Sequence, residues 1–288
     1  MTVRSAGVCA QIDPFGAQLS VLQDARGYDL LWHGDPDIWA GRAPVLFPIV
    51  GMLAGGSYRL GANRFPLARH GFARGKPFET LSITPSSAVF RLRDDAATLA
   101  VYPFPFELDV SFTAEGATLS VQATVRNVGP KEMPASLGFH PGFRWPLPYG
   151  HSRAAHFIEF DADEPDPIRR ITAEGLMSLD PHPTPVVNRR LALTDALFRD
   201  DVIILDKVRS RSVRYGAASG PQLEIRFPDA QYLGIWTKPD AEFICIEPWQ
   251  GVTDTVGFAD DIRHKPGVFM VAPGATHSLN MAVTLHGT

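Results

Sequence analysis

Glycine and proline are spread so densely along this chain that long helices have almost nowhere to form. There are 25 of each among 288 residues, and only two stretches longer than fourteen residues, Ser86–Tyr102 and Val186–Tyr215, contain neither. Inside a helix proline costs about 3 kcal/mol and glycine about 1 kcal/mol. A helical bundle and a βαβ array are therefore disfavoured, and many short strands joined by turns are expected. With 45% hydrophobic residues the chain can build a packed core, which excludes a disordered polymer.

Apolar residues recur with the period of a half-buried strand. Phe106, Leu108, Val110 and Phe112 alternate with Glu107, Asp109 and Ser111. The alternation resumes at Leu119, Val121, Ala123 and Val125 after Ala114-Glu115-Gly116-Ala117. Two such runs around a short glycine-containing loop read as an antiparallel hairpin with one solvated face. Gln222–Phe227, Tyr232–Trp236, Phe243–Ile246, Val268–Val271 and Ser278–Leu285 are further strand candidates, and Thr194–Phe198 is at most a short helix. The proline-rich segment Asp161–Pro185 has alternating strands on both sides, so it reads as an excursion rather than a linker. The expected architecture is all-β: one large antiparallel β-sandwich spanning residues 1–288.

Charge and cysteine content narrow the function. A formal net charge of −4 without charge blocks gives no footprint for a nucleic-acid backbone. No apolar run approaches the roughly 18 residues that cross a bilayer, so no membrane partner is expected. The opening MTVRSAGVCAQID lacks the apolar stretch of a secretory signal, and Cys9 and Cys245 are far apart, so a reduced, cytoplasmic setting is expected. No His-x-His, His-x-x-x-His or Cys-x-x-Cys pair occurs, and neither does a dinucleotide loop, a phosphate loop or a nucleophile elbow. No protein-bound metal and no cofactor are expected.

Three segments depart from generic sandwich strands. They are Gly41-Arg42-Ala43-Pro44-Val45-Leu46-Phe47-Pro48 with the following Arg69-His70-Gly71-Phe72-Ala73-Arg74; Leu137-Gly138-Phe139-His140-Pro141-Gly142-Phe143; and Cys245-Ile246-Glu247-Pro248-Trp249-Gln250-Gly251. Each sets an ionisable side chain among aromatics, glycine and proline. Singly they have plain explanations: His70 as a turn residue, His140 as a half-buried histidine held extended by Pro141, Glu247 as a strand-end surface carboxylate. The seven other histidines lack such a setting and read as surface or packing residues. Together, two histidines, a carboxylate, arginines and aromatic rings suit a sugar, whose edges offer hydroxyls and whose faces offer C–H patches.

These motifs, in this order and spacing, resemble the aldose 1-epimerase or galactose mutarotase-like family, in the bacterial branch found with lactose-utilisation genes. The resemblance rests on Arg42 with Pro44 and Phe47-Pro48, His70-Gly71-Phe72-Ala73-Arg74, Gly138-Phe139-His140-Pro141 and Cys245-Ile246-Glu247-Pro248-Trp249, and it covers most of the chain. It implies a large antiparallel β-sandwich, in agreement with the patterning. It also implies interconversion of the α and β anomers of a free hexose such as galactose or glucose. Ring opening removes the C1 hydroxyl proton and protonates the ring oxygen, with two groups expected on opposite sides of the hemiacetal. By the resemblance Glu247 is the base and His140 the acid, His70 and Arg42 bind substrate, and Asp201 in Arg199-Asp200-Asp201-Val202 matches a sugar-binding aspartate.

Trp249 is a candidate for an apolar wall, as is Trp236, for which core packing is the simpler reading. Arg74 joins Arg42 in a pattern also seen in relatives acting on hexose 6-phosphates, and two arginines can hold a phosphate. Arginine is abundant throughout, 22 against 5 lysines, which weakens that argument and leaves a neutral sugar ahead. A non-catalytic sugar-binding protein on the same fold is the other alternative, because a pocket does not establish turnover. The expected partner is a small-molecule sugar, bound by a monomer or homodimer.

Overall fold

The computed structural model describes residues 1–287. Two antiparallel sheets dominate it. The larger has nine strands, in the order Arg190–Ala192, His156–Phe160, Ser212–Ala217, Gln222–Arg226, Thr276–His286, Thr118–Asn127, Phe106–Glu115, Ser87–Arg93 and Glu79–Ile83. The smaller runs Ile203–Leu205, Tyr232–Trp236, Phe243–Gln250, Leu137–Phe139 and Val45–Leu46, with Gly142–Arg144 pairing the first half of Phe243–Gln250. A three-stranded N-terminal sheet and two two-stranded pieces complete the strands. Among the described residues there is one α-helix, Ala96–Val101, inside the glycine- and proline-free stretch Ser86–Tyr102. Asp95 and Thr98 cap it reciprocally. No described helix is long and apolar enough to cross a membrane.

The hairpin read from alternation forms the sixth and seventh strands of the large sheet. Its strands pair from Thr118–Glu115 out to Asn127–Phe106 around a Gly116-Ala117 turn. Phe106, Leu108, Val110 and Phe112 enter the core, while the opposite face keeps polar residues such as Arg91 and Asp109, whose side chains meet at 2.6 Å. Thr194–Phe198 is reduced to a 3-10 turn over Asp195–Phe198, and Thr194 makes no side-chain cap.

The small sheet is buried on both faces, and period 2 decides which residues meet what. Ile244 and Ile246, Leu233 and Ile235, Leu137 and Phe139, Val45 and Phe47, and Ile203 and Leu205 all face the large sheet and join its core. The alternate residues Cys245, Glu247 and Trp249, with Gly138, Gly234, Trp236, Leu46 and Ile204, point the other way. A strand apolar on both sides shows no alternation in sequence, which is why Phe243–Gln250 was legible only as far as Ile246. The loops that cover this second face make the cavity.

Candidate active site

The cavity is a cleft whose empty space, counting the open solvent at its mouth, is about 790 Å3. Its wall contains His140, Glu247, His70, Arg74, Asp201, Trp236 and Trp249, all singled out above, together with Trp39 and Arg69. Glu247 lies at strand position 247 between Cys245 and Trp249 on the same face, and is only 1% exposed. The Trp249 ring lies across the sheet because its neighbours are glycine. A Cβ on Gly138 would be 2.9 Å from the indole, and one on Gly234 would be 2.4 Å from it. Glycine on both flanking strands therefore makes the space for an aromatic floor.

His140 follows the strand Leu137–Phe139 and is fixed by its backbone N–H donating to the Pro44 carbonyl at 3.1 Å. Trp39 packs at 5.1 Å and Trp236 edge-on at 5.8 Å, so the imidazole sits in an aromatic box. Its Nε2 is 3.1 Å from Glu247 Oε2. The two groups are thus neighbours rather than on opposite sides of a substrate. Burial pushes His140 down to about 3, with the Arg69 and Arg74 charges adding to the effect. Burial pushes Glu247 well above the ordinary carboxylate range; the Arg69 charge opposes this and the Asp201 charge reinforces it. Both shifts have one origin, the cost of holding charge away from water.

His70 has a positive φ of 65°, unusual for a side chain with a Cβ. Two bonds to Gly51 hold it there: His70 N–H donates to the Gly51 carbonyl at 2.8 Å, and Gly51 N–H donates to His70 Nδ1 at 3.1 Å. Gly71 continues the left-handed turn, and a Cβ there would sit 2.2 Å from the Phe47 carbonyl oxygen. Burial and the nearby His140, Arg69 and Arg74 keep the His70 pKa well below its usual value, so the ring is neutral. Because Nδ1 accepts from Gly51, the proton is on Nε2, leaving a donor for a ligand.

Asp201 also has a positive φ, 63°, and its Oδ1 accepts from Val202 N–H at 2.7 Å. Arg170 braces the turn by donating to the Asp201 carbonyl at 2.8 Å. Asp201 reaches the cavity, whereas Asp200 lines only the adjoining surface depression.

Arg42 departs from the sequence expectation. Its Nε donates to the His33 carbonyl at 2.7 Å and its Nη1 to the Ser20 carbonyl at 3.3 Å, outside the cavity. Its backbone runs beside Gly142, so the local chain direction sends the side chain toward the N-terminal sheet. Arg42 fastens a loop and does not reach a ligand in this cavity. Arg69 stands in the wall instead, together with Arg74, whose Nη2 donates to the Arg69 carbonyl at 2.9 Å. Arg69 adjoins His70 in the quoted motif, so its signal was present; Trp39 had none, being three residues from Arg42 in an ordinary loop.

One group of donors also suits a metal. The ligand atoms of His140, Cys245 and Glu247 lie within 4.8 Å of one another. Cys245 and Glu247 are alternate residues of one strand, and only the fold adds His140 from a neighbouring segment.

Known proteins resemble this chain over nearly its whole length. The plasmid-encoded LacX protein of Lactococcus lactis is 33% identical over 285 residues, spanning 96% of this chain and 95% of LacX. The structure of a galactose mutarotase-like protein from Lactobacillus casei is 31% identical with a TM-score of 0.91, covering 99% of each chain. A galactose mutarotase related enzyme from Lactobacillus acidophilus is 29% identical, also at 0.91, covering 100% of this chain and 97% of the other. The family model for aldose 1-epimerase matches residues 1–283. With that match and the antiparallel sandwich in hand, the chain belongs to the aldose 1-epimerase family.

Proposed function

We propose that the protein is an aldose 1-epimerase acting on a free hexose such as galactose or glucose, with Glu247 and His140 as its proton-transfer pair. The observation that carries this reading is the 3.1 Å approach of Glu247 Oε2 and His140 Nε2 in a cavity walled by tryptophans. O1 and O5 of a pyranose are bonded to the same carbon, so two neighbouring groups can each address one of them. The pair reacts from the form with its shared proton on His140 Nε2, reached from the resting form protonated on Glu247 across the 3.1 Å contact. In opening, Glu247 takes the proton of the O1 hydroxyl while His140 gives one to O5, and the C1–O5 bond breaks to leave an aldehyde at C1. Rotation about C1–C2 presents the other carbonyl face. O5 then attacks C1, its proton returns to His140, and Glu247 returns a proton to O1. The pair ends with the proton count it began with. His70 Nε2–H and the arginine donors suit sugar hydroxyls, Asp201 suits a hydroxyl donor, and Trp249, Trp39 and Trp236 suit C–H faces.

The test is a panel of freshly dissolved anomerically pure aldoses followed by polarimetry or exchange NMR. Acceleration over the spontaneous rate is expected for at least one hexose. Sugar binding without acceleration would instead favour a non-catalytic sugar-binding protein.

The pH profile provides a second check. Groups at their ordinary values of 4.5 and 6.5 would hold one shared proton only between those limits. Here His140 takes a second proton only near pH 3, and the raised Glu247 retains the first to well above 4.5. The one-proton pair therefore widens on both sides. A plot of kcat/KM against pH, which reports the free enzyme, is expected to hold its plateau down to about pH 4, because the pair takes its second proton only near pH 3. An acid limb near 4.5, as for an ordinary carboxylate, contradicts that account.

One observation favours a second reading, a hexose 6-phosphate. Arg69 and Arg74 share the cavity wall, and among the described residues neither has a salt-bridge partner. A charge-assisted bond to phosphate is worth about 1.5–3 kcal/mol, or about 10- to 150-fold. If this reading holds, Arg74→Ala lowers kcat/KM for glucose 6-phosphate by that factor and spares glucose. Equal losses on both sugars, measured by exchange NMR, remove the phosphate role.

A further inference from the structure

Cys245 takes no part in the proton transfers above, yet it is buried on the same face of the same strand as Glu247. We propose that His140, Cys245 and Glu247 form a binding site for a thiophilic divalent cation such as Zn2+, and that an ion held there blocks the proton-transfer pair. Imidazole, thiolate and carboxylate are the three donor types that zinc takes from proteins, and three protein ligands with one open position is a common zinc arrangement.

The spacing suits such an ion. Two ligands of a tetrahedral zinc, at bond lengths of about 2.0–2.1 Å, stand about 3.3 Å apart. His140 Nε2 and Glu247 Oε2 stand 3.1 Å apart, and Cys245 Sγ completes a set within 4.8 Å. Glu247 Oε2 is buried and accepts no hydrogen bond from the described residues, so it faces the imidazole nitrogen without an intervening donor. A cation between them satisfies both lone pairs. His140 and Glu247 open onto the cavity, which provides the route of entry and leaves the fourth position to water. With its lone pairs on the metal the pair can neither take the O1 proton nor serve O5, so the ion competes with substrate.

The binding claim stands on the cluster alone, whereas the inhibition rests on the proposed epimerase reading; the experiment separates them. Chelator-treated full-length protein is titrated with Cd2+, and thiolate-to-cadmium charge-transfer absorption is followed. One equivalent per chain is expected, unchanged in Cys9→Ser and lost in Cys245→Ser. In parallel, Zn2+ is expected to inhibit aldose interconversion competitively with sugar, and chelator to restore it. Losing a group that merely orients a metal ligand already costs about 10- to 100-fold in affinity, so Cys245→Ser, which removes a ligand, is expected to raise the inhibitory Zn2+ concentration at least 100-fold while keeping wild-type activity without metal. Absence of the cadmium band from wild-type protein overturns the site, and so does equal inhibition of wild type and Cys245→Ser. If the metal-free protein interconverts no aldose, the functional reading fails, and the cadmium titration still decides the site. Should Cys245→Ser not fold, the wild-type stoichiometry and spectrum remain decisive.

Discussion

Glu247→Gln is expected to abolish catalysed anomer exchange and leave the fold intact. Glutamine keeps the shape of the side chain, so the packing against Trp249 and Gly234 is retained. What it loses is proton affinity: a carboxamide cannot take the O1 proton. Positioned acid–base groups contribute about 10²- to 10⁴-fold, and kcat/KM is expected to fall by a factor in that range. Stability is expected to hold or rise, because the carboxylate is buried and burial already disfavours its charge. Polarimetry supplies the rate and a urea melt the stability. Mutarotation near the wild-type rate in a folded variant removes Glu247 as the base. Because the two groups act as one unit, adding His140→Asn to Glu247→Gln is expected to cost little more.

The largest stability effect is expected at Lys265, away from the chemistry. Its ammonium is fully buried and meets Asp254 Oδ1 at 2.5 Å. The other Asp254 oxygen accepts from Ala54 N–H at 2.8 Å. Beside it, Thr253 Oγ1 accepts from Met52 N–H at 2.9 Å and donates to the Gly175 carbonyl at 2.6 Å. The pair therefore ties the segment carrying Gly51, and through it His70, to the end of the strand carrying Glu247. Removing one member of a buried pair strands the other and typically costs about 3–5 kcal/mol. Lys265→Ala is expected to lose that much in urea unfolding. The double variant Lys265→Met with Asp254→Asn should recover a substantial part, since it leaves no orphaned charge. A loss below 1 kcal/mol in Lys265→Ala would show that water reaches Asp254.

How much was legible in the sequence can be judged residue by residue. The hairpin centred on Gly116 was fully visible, because a strand with one wet face writes its geometry as alternation. The small sheet was only partly visible, because burial on both faces erases the alternation that distinguishes Glu247 from Ile246. Turn chemistry showed where the chain bends at His70-Gly71. It did not show that Gly51 fixes the tautomer of His70, since nineteen residues separate the two. Arg42 and Arg69 illustrate the limit: both lie in the quoted motifs, and only the path of each loop sends one guanidinium to Ser20 and His33 and the other to the cavity.

The sequence by itself determined the class of fold, through the cost of glycine and proline in helices and the period of its apolar residues. It also determined the inventory of chemistry, two histidines, a glutamate, arginines and tryptophans set in rigid segments. Only the tertiary structure decided which of these meet. That His140 and Glu247 approach to 3.1 Å depends on strand pairing between residues about a hundred positions apart. Their displaced proton affinities depend on burial, which no local motif contains. The same pairing brings Cys245 into reach of both. Strand register is a long-range choice made by the core, and it turns scattered donors into one site.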